Sequence, residues 1–462
     1  MQRFAILLPG LFLAVSMMYG QTPQATLLGR WYEDTLVGSS AYDNTYNEVW
    51  GFAVEGHEYA IIGSTAGTHF IEVTDPTQPT EVFFFAGKAQ GKSIVHRDYE
   101  TYNGFIYAVC DEGQSSLQII DIRQMPDTAF VVYDSNNLVN RSHNIEIDTS
   151  QGMLYTFATS GGSGGFSAMR VYDLADPANP ALIGAYNTFG DITAGHVHDG
   201  YVRNGLAFLN CGYDGLAIVD FTDPANPVAL GTLPDYPAKG YNHSGWGDES
   251  GDYYYLADEN HATPMKVLDV SDPTEIKVLG TFDAQVPNPN SIPHNQLVRG
   301  EYLYVSYYYE GLVVFDISDP SAPVPAYAFD TSNEPNGKSY KGAWGVYPYL
   351  PSGNILVSDM QEGLFVFEKV DETITSATPS GFEAPEVAIY PNPASTFLTI
   401  SYDGNDLESI HLFDLQGRHC GQWTGSQRTL HLPDHLSGGM YFLQLNGAGG
   451  QVTERIQIRG ER

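Results

Sequence analysis

The chain has 462 residues, 42% of them hydrophobic and 13% aromatic, a composition that excludes a disordered protein and is too long for one ordinary core. Acidic residues outnumber basic ones 55 to 21, giving a net charge of −34. That excludes nucleic acid and a bare anionic membrane as partners, because both require clustered Lys and Arg.

The chain opens MQRFAILLPGLFLAVSMMYGQ. Arg3, a short apolar run and small Gly20 predict a secretory signal peptide over residues 1–20, cut before Gln21. The run is short for a membrane span and no other segment reads as a transmembrane helix, so no transmembrane anchor of its own is expected. The protein is expected to leave the cytoplasm.

Beyond residue 24 a phrase recurs. AMRVYDLADPANPALIG starts at Ala168, GLAIVDFTDPANPVALG at Gly215 and MKVLDVSDPTEIKVLG at Met265. Looser copies start at His69 and Gly311. Aligned on the acid before the turn, Glu72, Asp121, Asp173, Asp220, Asp269, Asp316 and Glu368 recur at intervals of 47–52 residues. Within one period LAFLNC, LAIVDF and VALGTL read as strands, and GYDG and TDPANP as turns; a further strand precedes them near HVHDGYV. Four strands in a period near 50 residues predict a propeller blade. The repeated acid is expected to bond turn amides. The last copy, EGLFVFEKV, lacks the turn and the outer strand, while ATLLGRWYED at Ala25–Asp34 reads like the missing piece. The N-terminal segment is therefore expected to complete blade seven and remove the open edge. The fold class expected is all-β: a seven-bladed β-propeller over residues 24–370.

Residues 371–386 are polar and rich in Ser, Thr, Pro and Gly, and read as a linker. Residues 387–462 hold short alternating strands split by Gly, Asn and Pro, which predict a small β-sandwich.

The first strand of a blade lines the central channel, and here it carries a bulky polar or aromatic residue: Trp50, His96, His143, His196 and His198, His243, His294 and Trp344. Three readings compete. The histidines could bond backbone groups between blades, form a polar, aromatic-flanked pocket for a ligand or peptide, or bind a divalent metal as neutral imidazoles. Positions across the ring are expected to lie too far apart for several to reach one ion. His196 and His198, read as i and i+2 on a strand and so on one face, are the first candidates for a shared metal. The acids near the middle-strand turns, Asp111, Glu112, Asp214, Asp258, Glu259, Glu310, Asp359 and Glu362, are expected to be solvated. Cys110, Cys211 and Cys420 show no metal spacing, and no bridge between the first two is expected. No recognisable nucleophile motif or P-loop occurs.

The repeated units resemble the LVIVD repeat of the choice-of-anchor B family of secreted bacterial proteins, over most of residues 25–370. The resemblance implies an extracellular β-propeller and no particular reaction. YPNPAS at Tyr390–Ser395, DLQGR at Asp414–Arg418 and LSGGMYFLQL at Leu436–Leu445 resemble the C-terminal sorting domain of type IX secretion in Bacteroidetes. That implies export across the outer membrane by the type IX machinery, acting on residues 387–462, to the cell surface or the medium. The function expected is a non-catalytic binding or adhesion module for an extracellular glycan or protein. The alternative is a secreted metal-assisted hydrolase or lyase working at the histidine-lined mouth.

Overall fold

The computed structural model describes residues 22–370 apart from 287 and 289, and residues 387–459 apart from 403–406, 415–418, 434, 435, 437, 448 and 449. The expected signal peptide, the expected linker and most of DLQGR lie outside the described residues. The chain divides into two compact units, Met1–Glu372 and Thr373–Arg462.

The first unit is a β-propeller. Its described residues form seven four-stranded antiparallel sheets. Six are consecutive: 46–86, 97–135, 144–186, 199–233, 242–282 and 296–329. The seventh joins 343–367 to Leu27–Trp31. In the six, the third strand ends on the repeated acid. Third strands such as Leu216–Asp220 are apolar almost throughout because both faces are covered by neighbouring sheets, whereas fourth strands such as Val228–Leu233 are partly exposed.

Each neighbouring pair of sheets encloses its own apolar cluster. Phe52, Tyr59 and Phe70 of the first sheet pack with Tyr99, Ile106 and Ile120 of the second. The series ends with Leu356, Leu364 and Val366 of the seventh against Val49, Ala60 and Ile62 of the first. Full burial of each such side chain contributes roughly 1.5–3 kcal/mol. The closure depends on the N-terminal segment, which pairs antiparallel to the last inner strand, Leu27 opposite Phe367, Arg30 opposite Phe365 and Trp31 opposite Leu364.

The recurring phrase has two structural causes. Its acids make local turns: Asp220 accepts from the Thr222 amide at 2.8 Å and Asp223 from the Ala225 amide at 3.2 Å, with equivalent bonds at Asp269, Asp272, Asp316 and Asp319. The turn's proline carbonyl then docks on the preceding sheet. A Cβ on Gly231 would meet Pro273 O at 2.0 Å, and one on Gly29 would meet Pro76 O at 2.2 Å. Elsewhere a tyrosine takes that carbonyl: Tyr107 donates to Pro177 O at 2.7 Å, and Tyr186 donates to Pro224 O. Gly29 and Gly231 therefore stand where the next sheet's backbone comes too near for a side chain.

The second unit consists of a three-stranded sheet, Val387–Tyr390, Phe397–Tyr402 and Thr429–His431, and a four-stranded sheet ordered His419–Thr424, Leu407–Asp414, Gly439–Gly447 and Gly450–Ile458. Leu398 and Ile400 of the first share a core with Ile410, Leu412, Leu443 and Ile456 of the second. Two sheets around one core make a small sandwich.

Candidate functional site

The inner ends of six sheets bring six aromatic side chains into one closed ring. His96, His143 and His198 immediately precede the first strands of the second, third and fourth sheets. His243 and Trp344 are the second residues of Asn242–Gly247 and Ala343–Tyr347, and His294 stands two residues before Gln296. Ring centroids run 4.4 Å from His96 to His143, 4.0 Å on to His198, 4.3 Å to His243, 4.5 Å to His294, 4.3 Å to Trp344 and 5.4 Å back to His96. The side chains lean into the channel, and neighbours in the ring touch.

Two expected members are elsewhere. Trp50 is the fifth residue of Tyr46–Val54, further along its strand. Its indole donates to Thr101 Oγ1 at 3.4 Å and packs on Tyr347. The first sheet gives the ring no member; its Asn44 and Asn47 instead donate to Val95 O. His196 stands outside the ring, bonded to the Tyr241 hydroxyl at 2.5 Å. Residues 194–198 are not a strand, so the alternation that placed His196 and His198 on one face does not apply.

The ring lines a cavity of about 380 Å³, walled also by Ala41, Tyr42, Glu112, Glu259, Tyr308 and Tyr340. A second cavity of about 410 Å³, holding Asp111, Arg141, His196 and Tyr241, shares His143 and His198 with it. Several ring atoms have no hydrogen-bond partner: both nitrogens of His96, Nδ1 of His198, Nδ1 of His243 and Nε1 of Trp344. His96 and His243 are 3% and 2% exposed. His294 is tied through Nδ1 to Trp344 O at 2.6 Å.

Of the acids expected to be solvated turn residues, Asp214 is exposed, while five others brace the site or its surroundings. Asp111 meets His143 Nδ1 at 2.8 Å. Glu112 accepts from the Val95 and His96 amides, each at 3.1 Å. Glu259 accepts the Tyr308 hydroxyl at 2.6 Å and faces His243 Nε2 at 3.8 Å. Asp258 and Asp359 are fully buried. These acids end or follow second strands, whose tips lie beside the start of the first strands, a register that the turn motif alone did not convey.

The electrostatics divide the ring. Burial, then the neighbouring His143, holds His96 and His198 well below the ordinary histidine range. Burial, then His294, does the same to His243, and burial takes His294 down to about 3. His143 is the exception: burial opposes its charge, but the hydrogen bond and charge of Asp111 outweigh it and raise its pKa. Asp111 is correspondingly held at about 2 despite burial. Burial lifts Glu259 to about 7 against the Tyr308 hydrogen bond. Four of the ring imidazoles are thus held uncharged, beside a fifth, His143, whose charged form Asp111 favours. Among the described residues, one group of His, Cys and carboxylate side chains, His198, His243 and Glu259, brings three possible ligand atoms within 4.8 Å of one another.

A second layer follows, one or more residues along the first strands. Glu48, Asp98, Glu100, Glu146 and Asp199 line a cavity of about 50 Å³ with Trp50 and Trp246. Burial raises all five acids, Glu48 to about 8 and Asp199 to about 7. These acids were missed. The signal was present in Asp98 and Glu100 of RDYETY and Glu146 of NIEID, which alternation turns toward the channel.

No helix among the described residues is long and apolar enough to cross a membrane. Residues 250–284 and 296–331 match the LVIVD repeat, and residues 388–459 match the secretion system C-terminal sorting domain. A search of curated proteins returns no match. Among solved structures, the crystal structure of RRP9 WD40 repeats aligns with 75% of this chain and 99% of its own, at 7% identity and a TM-score of 0.53. The Myceliophteria thermophila Cps50 (Swd1) β-propeller domain aligns with 70% and 99%, at 8% identity and a TM-score of 0.48. The RRP9 likeness speaks for the fold alone. The chain carries an LVIVD-repeat propeller and a type IX sorting tail, which directs export across the outer membrane to the cell surface or the extracellular space.

Proposed function

We propose that this exported protein is a non-catalytic binding module, a complete seven-bladed ring displayed or released by type IX secretion, whose ligand enters the histidine-lined channel mouth. In this reading residues 1–20 are the signal peptide, 371–386 the linker and 387–462 the sorting domain. The observation that carries it is the closed ring of five histidines and Trp344 around a cavity of about 380 Å³, with polar ring atoms left unpaired. An unsatisfied buried polar group costs about 1–3 kcal/mol, and a ligand that pairs with several of them recovers that cost. The volume lies within the usual range for small-molecule sites.

The donors and acceptors restrict the ligand. Trp344 Nε1 only donates, while a neutral imidazole offers one donor and one acceptor. A ligand hydroxyl serves both. Tyr42, Tyr308 and Tyr340 add flat faces. The surrounding acids and the net charge of −34 disfavour anions. A neutral saccharide end group on an extracellular glycan fits best. Ala41 is exposed at the cavity wall, so Ala41→Trp obstructs it without touching the ring. The full chain, screened on a neutral glycan array, is expected to bind a subset that Ala41→Trp loses. Equal binding by the variant, or none by the parent, would overturn the reading.

A further inference from the structure

We infer that His198, His243 and Glu259 form a binding site for one divalent first-row transition metal of the zinc type, with an open coordination position facing the cavity. The site deepens the pocket reading, and only the use of its open position rests on that reading.

The five ring histidines are not equivalent as ligands. Nδ1 bonds to Asp111 and to Trp344 O leave His143 and His294 only Nε2, and among the described residues neither these two nor His96, whose nitrogens are both unpartnered, belong to a group of three ligand atoms as close as that of His198, His243 and Glu259. His198 and His243 keep an unpartnered Nδ1. His243 also points Nε2 at Glu259 Oε2, 3.8 Å away, too long for a hydrogen bond but a separation that an ion between them could bridge. Tetrahedral coordination with bonds of about 2.0–2.2 Å places neighbouring ligand atoms roughly 3.3–3.6 Å apart, so small rotations of these side chains suffice. The three atoms already lie within 4.8 Å of one another.

The carboxylate is supported as a ligand carboxylate needs to be. Tyr308 donates to Glu259 Oε1 at 2.6 Å, fixing the group and leaving Oε2 toward the histidine. Such outer hydrogen bonds orient metal ligands and raise affinity. Two imidazoles and one carboxylate select zinc, copper or nickel over calcium or magnesium, and three protein ligands leave a place for water or a ligand oxygen. His196 is not in the set; the Tyr241 hydroxyl holds its Nε2 in the adjoining cavity.

The test uses the full chain, stripped with chelator and titrated with cobalt(II) chloride, then with zinc chloride in competition. Visible absorption of intensity typical of four-coordinate cobalt is expected to saturate at one equivalent and to disappear as zinc displaces it. Glu259→Gln keeps the shape and can still accept from Tyr308, and it is expected to weaken binding at least 10-fold. Tyr308→Phe removes only the outer bond and is expected to weaken binding about 10-fold. His196→Ala is expected to change nothing. Circular dichroism checks that each variant is folded. No saturable band, parent-like titration of both Glu259→Gln and Tyr308→Phe, or loss with His196→Ala overturns the site. Glycan binding by metal-free protein with no cobalt uptake would sink the metal and leave the pocket; cobalt uptake with no glycan bound would do the reverse.

Discussion

Glu48 of the first sheet accepts a hydrogen bond from Asn295 of the sixth at 2.7 Å, reaching across the seventh sheet that lies between them. It crosses at Gly345, where a Cβ would stand 1.8 Å from Glu48 Oε1. The glycine is there for space. Gly345→Ala must therefore displace a buried carboxyl group, and a loss of about 2–4 kcal/mol is expected from overpacking and the broken bond. Chemical denaturation measures it. Ala at 345 with parent stability would show that Glu48 has another resting place.

The acids around Glu48 give an unusual pH dependence. Burial raises Glu48 from 4.5 to about 8, and lifts Glu100 and Glu146 as well. The folded state therefore keeps protons that the unfolded chain releases above pH 4.5. On these acids the native state binds more protons between 4.5 and about 8 and loses stability as pH rises; His96, His198, His243 and His294, lowered by burial from 6.5, act in the opposite sense below 6.5, an opposition that is gone above it. The thermal midpoint, measured at constant ionic strength, is expected to drop between 6.5 and about 8, and more gently in Glu100→Gln/Glu146→Gln. Surface turn acids such as Asp220 and Asp269, whose hydrogen bonds lower them from 3.8, act below the window and in the opposite sense. A parent midpoint that is flat or rising from 6.5 to 8 would contradict the buried, protonated layer.

What the sequence conveyed and what it withheld have a common physical root. The propeller was legible because each period writes its own strands and turns locally: LAIVDF is a buried strand by composition, and TDPANP turns because Asp bonds the amides ahead of it. The seventh sheet's missing strand was legible for the same reason, since Ala25–Asp34 repeats a phrase found elsewhere. The histidine convergence followed from blade position. Which histidines touch did not, because it depends on how far each first strand projects. Trp50 looked equivalent to Trp344 yet lies several residues further along. Glu259 was seen and taken for a solvated turn acid; nothing near it in the chain announces Tyr308, 49 residues away.

Asp258, next to Glu259, shows how far from solvent these turn acids lie. It pairs with Lys266, both side chains 0% exposed, and also accepts the Tyr236 hydroxyl at 2.7 Å. Removing one partner leaves the other charge buried alone. Lys266→Met is expected to cost about 3–5 kcal/mol, and Lys266→Met/Asp258→Asn clearly less than the sum of the single changes. Denaturant midpoints of the three variants decide it. A Lys266→Met chain within about 0.5 kcal/mol of the parent would mean that the pair is not isolated from water.

The strand Leu27–Trp31 joins the first and last parts of the propeller, and its loss tests the closure. It covers the edge of Gly363–Phe367, while Trp31 packs on Tyr46 and His69 of the first sheet with centroids 6.0 and 5.1 Å away. Deleting residues 22–31 would bare that edge and the inner face of Phe365 and Phe367, which are 2% and 0% exposed. An unpaired edge beside apolar side chains invites association with other chains. Total stabilities run only about 5–15 kcal/mol, so loss of one strand, with Ala25, Leu27 and Trp31 taken from two core clusters, is expected to give a lower, broader melting transition and concentration-dependent aggregation. A synthetic peptide of residues 22–34, added in trans, is expected to restore part of the transition, because the groove it fills is defined on both sides by the remaining sheets. A truncated chain that melts with the parent and stays monomeric would show that the ring holds together without its N-terminal strand.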